Sequence, residues 1–140
     1  MAIENDMAKA LRELDPDSPA FPNALRELMV VLRGVPAGER PFTEIFQFME
    51  RHSDADFGSP GPIVHSLEAL GGYEEALLES IRRVPIPHTL WMVNRILNGD
   101  VPAHERERWV AELGRVAADP SLPNDVRAEA TDFLDHQRHG

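Results

Sequence analysis

Apolar residues recur at helical spacing along almost the whole chain, and this spacing limits the fold more than any other feature. In the first segment, Ile3, Met7, Ala10 and Leu14 follow the i, i+4, i+7 pattern of one apolar stripe. The alternation of β-branched and polar residues that marks a half-buried strand is absent from the sequence. The sequence therefore predicts an all-α protein.

Proline and glycine interrupt this spacing and divide the chain into short segments. The clearest breaks read "DPDSP", "VPAGERP", "HSDADFGSPGP" and "DPSLPND". Proline disfavours helix in the residue before it, and a left-handed glycine often follows a helix end, where Gly34 stands. Between the breaks the pattern predicts seven to eight short helices. We expect them to stack as irregular antiparallel hairpins in a HEAT-like arrangement, with helices four and five pairing, and helices six and seven.

The length and composition favour one domain. A chain of 140 residues with 42% hydrophobic side chains is long enough to bury a core without disulfides or a structural metal. We therefore predict a single α-helical domain over residues 1–140. The pattern allows residues 1–15 to be a loosely packed N-terminal helix and predicts a frayed tail over 136–140.

Several classes of protein are disfavoured by what the sequence lacks. It has no cysteine, which excludes disulfides, zinc–cysteine sites and thiol nucleophiles. No apolar run approaches the length of a membrane span. The first residues, "MAIENDMAKALRELD", lack the basic start and apolar run of a signal peptide. We therefore expect a cytoplasmic protein.

The net charge indicates the kind of partner to expect. It is −10, from 24 acidic and 14 basic side chains. Such a surface repels nucleic acid and anionic lipid, so neither nucleic acid nor a membrane is expected as a partner. A basic protein would be attracted. The simpler alternative is that the acidity only maintains solubility.

Acidic residues on either side of the fourth predicted helix indicate where a partner would bind. We expect them to form one acidic rim with two aromatic residues as anchors. Aromatic anchors surrounded by complementary charge are typical of tight protein interfaces. The predicted partner-binding residues are Asp54, Asp56, Phe57, Glu68, Tyr73, Glu74, Glu75 and Glu79.

The segment "VPIPHTLWMVNRILNGD" is apolar on nearly every side, which predicts a helix at the centre of its half of the chain. Trp91 and Trp109 are accordingly predicted to be core residues. Asn94 and Arg95 have two interpretations. They could orient a ligand, or Asn94 could bind a loop carbonyl while Arg95 pairs with a carboxylate of a neighbouring helix.

No motif commits the chain to catalysis or to metal binding. The stretch "SDADFGSPGPIVH" begins like a calcium loop, but Gly58 and Ser59 break the ligand pattern and His65 stands where glutamate should close it. We therefore predict no enzyme activity, no cofactor and no metal. A small metal-dependent enzyme stays open as an alternative, with residues such as His52, Asp54, Asp56 and His65 around the metal.

Part of the chain resembles a known family. The stretches "GSPGPIVHSLE" and "GYEEALLESIRRVPIPHTLWMVNRILN", followed by a helix ending in "FLDHQ", resemble small HEAT-like all-α immunity proteins of bacterial polymorphic-toxin and contact-dependent inhibition systems. The resemblance covers about residues 56–137. It implies a non-enzymatic inhibitor that binds one cognate toxin domain, often a basic nuclease, and blocks its active site or substrate groove. The alternative is a HEAT-like adaptor that joins cellular proteins.

Overall fold

The computed structural model describes residues 2–57 and 61–139, and within these ranges all long elements are helices. The eight α-helices of this part of the chain confirm the all-α prediction. Between the second and third lies a short 3₁₀ turn over Ala37–Glu39. The α-helices are α1 (Ala2–Glu13), α2 (Phe21–Arg33), α3 (Phe42–Arg51), α4 (Pro62–Leu70), α5 (Glu74–Arg83), α6 (Pro87–Asn98), α7 (Ala103–Ala118) and α8 (Asn124–His139).

The helices begin and end at the prolines and glycines that the sequence marks as breaks. Pro62 and Pro87 occupy the first turns of α4 and α6, where a missing N–H costs nothing. Gly71 and Gly72 follow α4 with φ values of 69° and 78°, a left-handed region that favours glycine. Gly34 also follows its helix, but with a right-handed φ of −85°, so the expected left-handed cap is not formed there.

The helices group into two compact units, and the single domain over 1–140 stays a prediction. Unit 1 is Met1–Ser80 and unit 2 is Ile81–Gly140, and the boundary falls inside α5.

Within each unit, helices two apart in the sequence pack on each other. In unit 1, α1 packs on α3 and α2 on α4. In unit 2, α6 packs on α8, and α7 packs extensively on α8. Stacked helical hairpins produce this neighbour relation, because each helix meets its equivalent in the next hairpin. The helix stacked on α4 is therefore α2. The sequence analysis expected α4 to pair with α5 and did not predict its contact with α2.

The core of unit 1 is built around an aromatic cluster. Phe48 of α3 is fully buried, and its ring lies 6.3 Å from that of Phe21 and 5.9 Å from that of Phe57. The N-terminal helix is anchored in this unit, since Met7 and Leu11 are both almost completely buried. Helix α1, which the sequence allowed to be loosely packed, thus contributes a buried apolar stripe to the core of unit 1.

The core of unit 2 is formed by α6, α7 and α8. Trp109 of α7 is 2% exposed, which confirms its prediction as a core residue. The frayed tail predicted over 136–140 corresponds to the last turn of α8, which continues through His139; Gly140 lies outside the described residues. The other buried apolar residues of this unit are Leu90, Met92, Val93, Leu97, Leu113, Val116, Val126, Ala130 and Leu134, with Ile81 and Ile86 before α6.

Candidate partner-binding surface

The acidic excess of the chain is concentrated in unit 1. Residues 1–80 contain 15 acidic and 6 basic side chains, a net charge of −9. Residues 81–140 contain 9 acidic and 8 basic side chains, a net charge of −1. A division of the sequence at its midpoint hides this difference, because Glu74, Glu75 and Glu79 then count with the second half. Almost all of the net negative charge of the chain therefore lies in unit 1.

All six of the predicted partner-binding acids lie in unit 1, and most of them reach solvent. Five are exposed, and Glu74 at the start of α5 is half-buried. Glu75 and Glu79 are four residues apart on α5, so their carboxylates lie on one helix face. The exposed acids are Asp54, Asp56, Glu68, Glu75 and Glu79.

The two predicted aromatic anchors are buried. Phe57 is 3% exposed because it packs in the Phe48 cluster, and Tyr73 is 5% exposed. An anchor residue must enter a pocket on the partner, which a buried ring does not do. In this structure Phe57 and Tyr73 are core residues, and the surface around them offers carboxylates without aromatic anchors.

Asp54 lies in a cleft that the sequence did not reveal. The cleft has a volume of about 300 Å³ and brings Asp54 together with Asp15 and Asp17 from the loop after α1. Arg51 and His52 also line this cleft. No sequence pattern joins residues 15–17 to residue 54, because only the packing of α1 on α3 brings the two loops together.

Asp56 belongs to a different part of the surface. It borders a cleft of about 210 Å³ whose other lining includes Phe21, Leu25 and Arg26 of α2. Asp54 and Asp56 therefore line different clefts, although the sequence places both in one rim.

Hydrogen bonds between helices fix the elements that carry these acids. The hydroxyl of Ser80 is fully buried and donates to Oε2 of Glu50 at 2.6 Å, which ties α5 to α3. Nη2 of Arg33 donates to the buried hydroxyl of Ser66 at 3.4 Å, which ties α2 to α4. The hydrogen bond from Ser80 holds α5, and with it the Glu75–Glu79 face, in a defined position against α3.

The structure assigns Asn94 a structural role in unit 2. Its side chain is 9% exposed, and its Oδ1 accepts a hydrogen bond of 2.7 Å from Nε2 of Gln137 on α8. Nη2 of Arg106 donates to the backbone oxygen of Gln137 at 2.9 Å, and Nη1 donates to that of Leu97 at 3.1 Å. Asn94 thus joins α6 to α8 through a side chain, where the sequence suggested a loop carbonyl.

Arg95 lies over an aromatic ring. Its guanidinium carbon is 5.1 Å from the ring centre of Trp91, and the ring of His88 meets the same indole edge-on at 5.3 Å. Trp91 is half-buried, so its prediction as a core residue is only partly correct. The i, i+3, i+7 spacing of these three residues was visible in the sequence and places them on one side of α6.

A buried carboxylate in unit 2 was missed by the sequence analysis. Glu112 is 8% exposed. Its Oε1 accepts hydrogen bonds from Nη2 of Arg82 at 2.8 Å and from Nε at 3.1 Å, while Oε2 accepts one from Nε of Arg115 at 3.1 Å. The signal was present, since Glu112 follows Trp109 by three residues and precedes Val116 by four. That spacing puts it on the core face of α7.

The described ranges contain no group of three histidine, aspartate or glutamate side chains arranged to hold a metal ion. His52 and Asp54 line one cleft while Asp56 lines another, and His65 is exposed on α4. Gly58 and Ser59 of the calcium-like stretch lie outside the described residues. Over residues 2–57 and 61–139, no helix is long and apolar enough to cross a lipid bilayer.

No protein-family model matches the chain, and comparisons with characterised proteins and with solved structures also give no match. The resemblance to HEAT-like immunity proteins therefore stays a prediction from the sequence.

Proposed function

We propose that this chain is an immunity protein, which binds a cognate bacterial toxin and neutralises it through the acidic surface of unit 1. The toxin is expected to act through a basic nuclease domain. The observation that supports this proposal most is the net charge of −9 on unit 1 against −1 on unit 2. Acidity needed only for solubility has no reason to be concentrated in one unit.

The inhibition would be steric and electrostatic, with no chemistry done by this chain. A nuclease groove is shaped and charged to bind a phosphate backbone. A helix face of carboxylates, such as Glu75 and Glu79 on α5, would present negative charge to the same groove and exclude the substrate. Complementary charge of this kind accelerates association and selects the partner more than it adds to affinity.

The burial of Phe57 and Tyr73 limits the kind of contact that the proposed surface can make. Since the predicted aromatic anchors are not exposed, contact at this surface depends on carboxylates. Interactions between exposed charges are screened by salt over a Debye length of about 8 Å at physiological ionic strength. The association rate should therefore fall steeply as salt concentration rises.

The first experiment is capture of the partner. The tagged protein is incubated with lysate of its native organism, the bound proteins are identified by mass spectrometry, and the capture is repeated at high salt. Recovery of one basic toxin domain that is lost at high salt supports the proposal. A purified complex in which that toxin remains fully active contradicts it.

The second experiment compares charge-reversed variants of the two units against the captured domain. In unit 1 the substitutions are Asp54→Lys, Glu75→Lys and Glu79→Lys; in unit 2 the control substitutions are Glu107→Lys, Asp132→Lys and Asp135→Lys, all at exposed positions. Both variants change the net charge equally. The association rate should fall by about tenfold or more for the unit 1 variant and much less for the control. Equal losses would attribute binding to total charge and refute the role of unit 1.

An adaptor that joins cellular proteins is the second candidate. The division into two units of different net charge favours it, because each unit could present a face to a different partner. Recovery of several ordinary cellular proteins, with separate losses for variants in the two units, would support the adaptor over the inhibitor.

A further inference from the structure

Helices α1 and α2 leave an apolar groove open to solvent within unit 1. It consists of two adjoining cavities of about 290 and 260 Å³, which share Leu28 and Val31 of α2. The apolar residues along this groove, here called the α1–α2 groove, are Met7, Ala10 and Leu14 of α1 and Ala24, Leu28 and Val31 of α2.

Val31 makes the groove unusual for a solvent-exposed surface. It is 51% exposed, although valine is neither a strong helix former nor a polar residue. Singly exposed apolar residues need no explanation, but Val31 continues the apolar lining of a groove about two helical turns long. The floor of the groove is closed, because Met7 and Leu28 are only 2% and 9% exposed. Its solvent-facing apolar surface comes from Val31 together with the half-buried Ala10, Leu14 and Ala24.

Acidic residues border the groove on both sides. Asp6 of α1 and Glu27 of α2 are exposed and belong to its lining. Glu13 is exposed and lies seven residues after Asp6, so it extends the same edge of α1 by two turns. At 100° per residue, Lys9 lies farther round α1 from the groove than these two acids do. The groove thus combines an apolar floor with carboxylates on each side.

The dimensions match one kind of ligand. Met7 and Leu14 are seven residues apart on α1, a distance of roughly 10 Å along the axis at 1.5 Å per residue. A ligand helix spans the same distance between its residues i and i+7, so three side chains at i, i+4 and i+7 would fill the floor. We propose that the α1–α2 groove binds an amphipathic helix of a partner protein, with the apolar face inward and lysine or arginine on both flanks.

The acidic edges also argue against other occupants. A second copy of this chain would bring Asp6 and Glu27 against like charges, because a two-fold interface places the same surface on both subunits. An anionic membrane surface would be repelled in the same way. This inference deepens the proposed function by adding a contact surface, and it rests on that function for the basic character of the partner.

The test uses synthetic peptides and two neighbouring valines of α2. One peptide carries leucine at i, i+4 and i+7 with lysine on both flanks; a second has the same leucines with glutamate flanks; a third is a scrambled form of the first. Val31→Glu places a charge in the groove. Val30→Glu is the matched control, since Val30 is 67% exposed but lies 100° round α2, beside Arg26 and Arg33.

Binding is followed by fluorescence anisotropy, with amide chemical shifts to locate the contact and circular dichroism to verify folding. The lysine-flanked peptide should bind, shift the amides of α1 and α2, and lose about tenfold or more in affinity with Val31→Glu but not with Val30→Glu. The glutamate-flanked and scrambled peptides should bind much more weakly. Absence of binding, equal losses for both variants, or a dimer that Val31→Glu dissociates would overturn the inference.

The failure of this inference and that of the proposed function are distinguishable. If Val31→Glu leaves capture of a basic toxin domain intact while the charge reversals on unit 1 abolish it, the groove is not a contact surface and the proposed function stands. If the groove binds the lysine-flanked peptide but no toxin domain is captured, the groove inference stands alone.

Discussion

The side-chain amide of Gln137 donates a hydrogen bond to Oδ1 of Asn94 at 2.7 Å and another to Oδ1 of Asn98 at 2.9 Å. Asn94 is almost buried, whereas Asn98 one turn later is exposed. One residue near the end of α8 therefore bridges two asparagines on the same face of α6. This arrangement accounts for the amide of Asn94 among the buried residues of α6, since a buried amide must be satisfied.

We expect Asn94→Ala to lower the free energy of unfolding by about 1–3 kcal/mol, because it leaves Gln137 without its buried acceptor. Asn98→Ala is the matched control at an exposed site and should cost about 0.5 kcal/mol or less. Urea denaturation followed by circular dichroism measures both. If Asn94→Ala leaves stability unchanged but abolishes partner binding, the residue is functional and the structural assignment is wrong.

The two tryptophans should behave differently on substitution. Trp109→Ala removes a buried side chain and should cost about 3–5 kcal/mol in the free energy of unfolding. Trp91→Ala removes a half-buried ring and its contact with Arg95, a contact that contributes about 0.5–1 kcal/mol at exposed sites. The cost at Trp91 should therefore be clearly smaller than at Trp109.

Fluorescence of single-tryptophan variants compares the solvent accessibility of Trp91 and Trp109 directly, and the Trp→Phe substitutions keep an aromatic side chain in the core. With Trp109→Phe only Trp91 emits, and with Trp91→Phe only Trp109 emits. Acrylamide should quench Trp91 several times more efficiently than Trp109, because only the first is partly accessible to solvent. Equal quenching of the two would show that Trp91 is as buried as the sequence alone predicted.

The fold could be predicted from the sequence because its signals are local. Helical spacing and the prolines that begin α4 and α6 depend on neighbouring residues, so all eight helices were recognisable. The relation of Asp15 and Asp17 to Asp54 could not be predicted, because it depends on how α1 stacks on α3. The division of charge between the units could not be predicted either, because it depends on a unit boundary that lies inside α5.

The aromatic residues show a second limit of sequence reasoning. Phe57 follows a run of polar and acidic residues, which is as compatible with an exposed anchor as with a buried one. Only the packing around Phe48 decides between them. For Glu112 the local signal existed, since the residue lies on the apolar stripe of α7. Charged residues usually face solvent, so the apolar spacing around Glu112 was not taken to indicate burial.

Glu112 should be needed for the stability of unit 2. We expect Glu112→Gln to lower the free energy of unfolding by about 1–2 kcal/mol, because two charge-assisted hydrogen-bonded contacts lose their anion. The side chains of Arg82 and Arg115 are 59% and 43% exposed, so each can be hydrated again when its partner is lost. Arg82→Gln or Arg115→Gln removes one partner of Glu112 but leaves the other in place, so each should cost about 0.5–1 kcal/mol.

A double-mutant cycle separates the interaction from the single losses. The combined variant Arg82→Gln with Glu112→Gln should be less destabilised than the sum of the two single variants, since the second change removes a contact already lost. Additive losses in urea denaturation would mean that the Arg82–Glu112 contact does not stabilise the protein.

Asp119 should make stability depend on pH at the turn between α7 and α8. Its Oδ1 accepts a hydrogen bond of 2.7 Å from the Ser121 hydroxyl and one of 3.0 Å from the Ser121 backbone N–H. These two hydrogen bonds, helped by the charges of Arg115 and Arg127, hold the pKa of the Asp119 carboxyl below its ordinary value. The folded state therefore favours the ionised form.

The sign of the effect follows from the lowered pKa. The contribution of Asp119 is fully present above the unfolded pKa, about 3.9, and is lost as pH falls through the lower folded value. The Tm values of wild type and Ser121→Ala should thus differ at pH 7. They should converge as pH falls below about 4, because protonation removes the carboxylate charge of Asp119 that the Ser121 hydroxyl stabilises. Asp119→Asn keeps an acceptor without a titrating group, so in its background the effect of Ser121→Ala should be the same at both pH values. A Tm difference between wild type and Ser121→Ala that persists unchanged at low pH would mean that the ionised carboxylate is not what the turn stabilises.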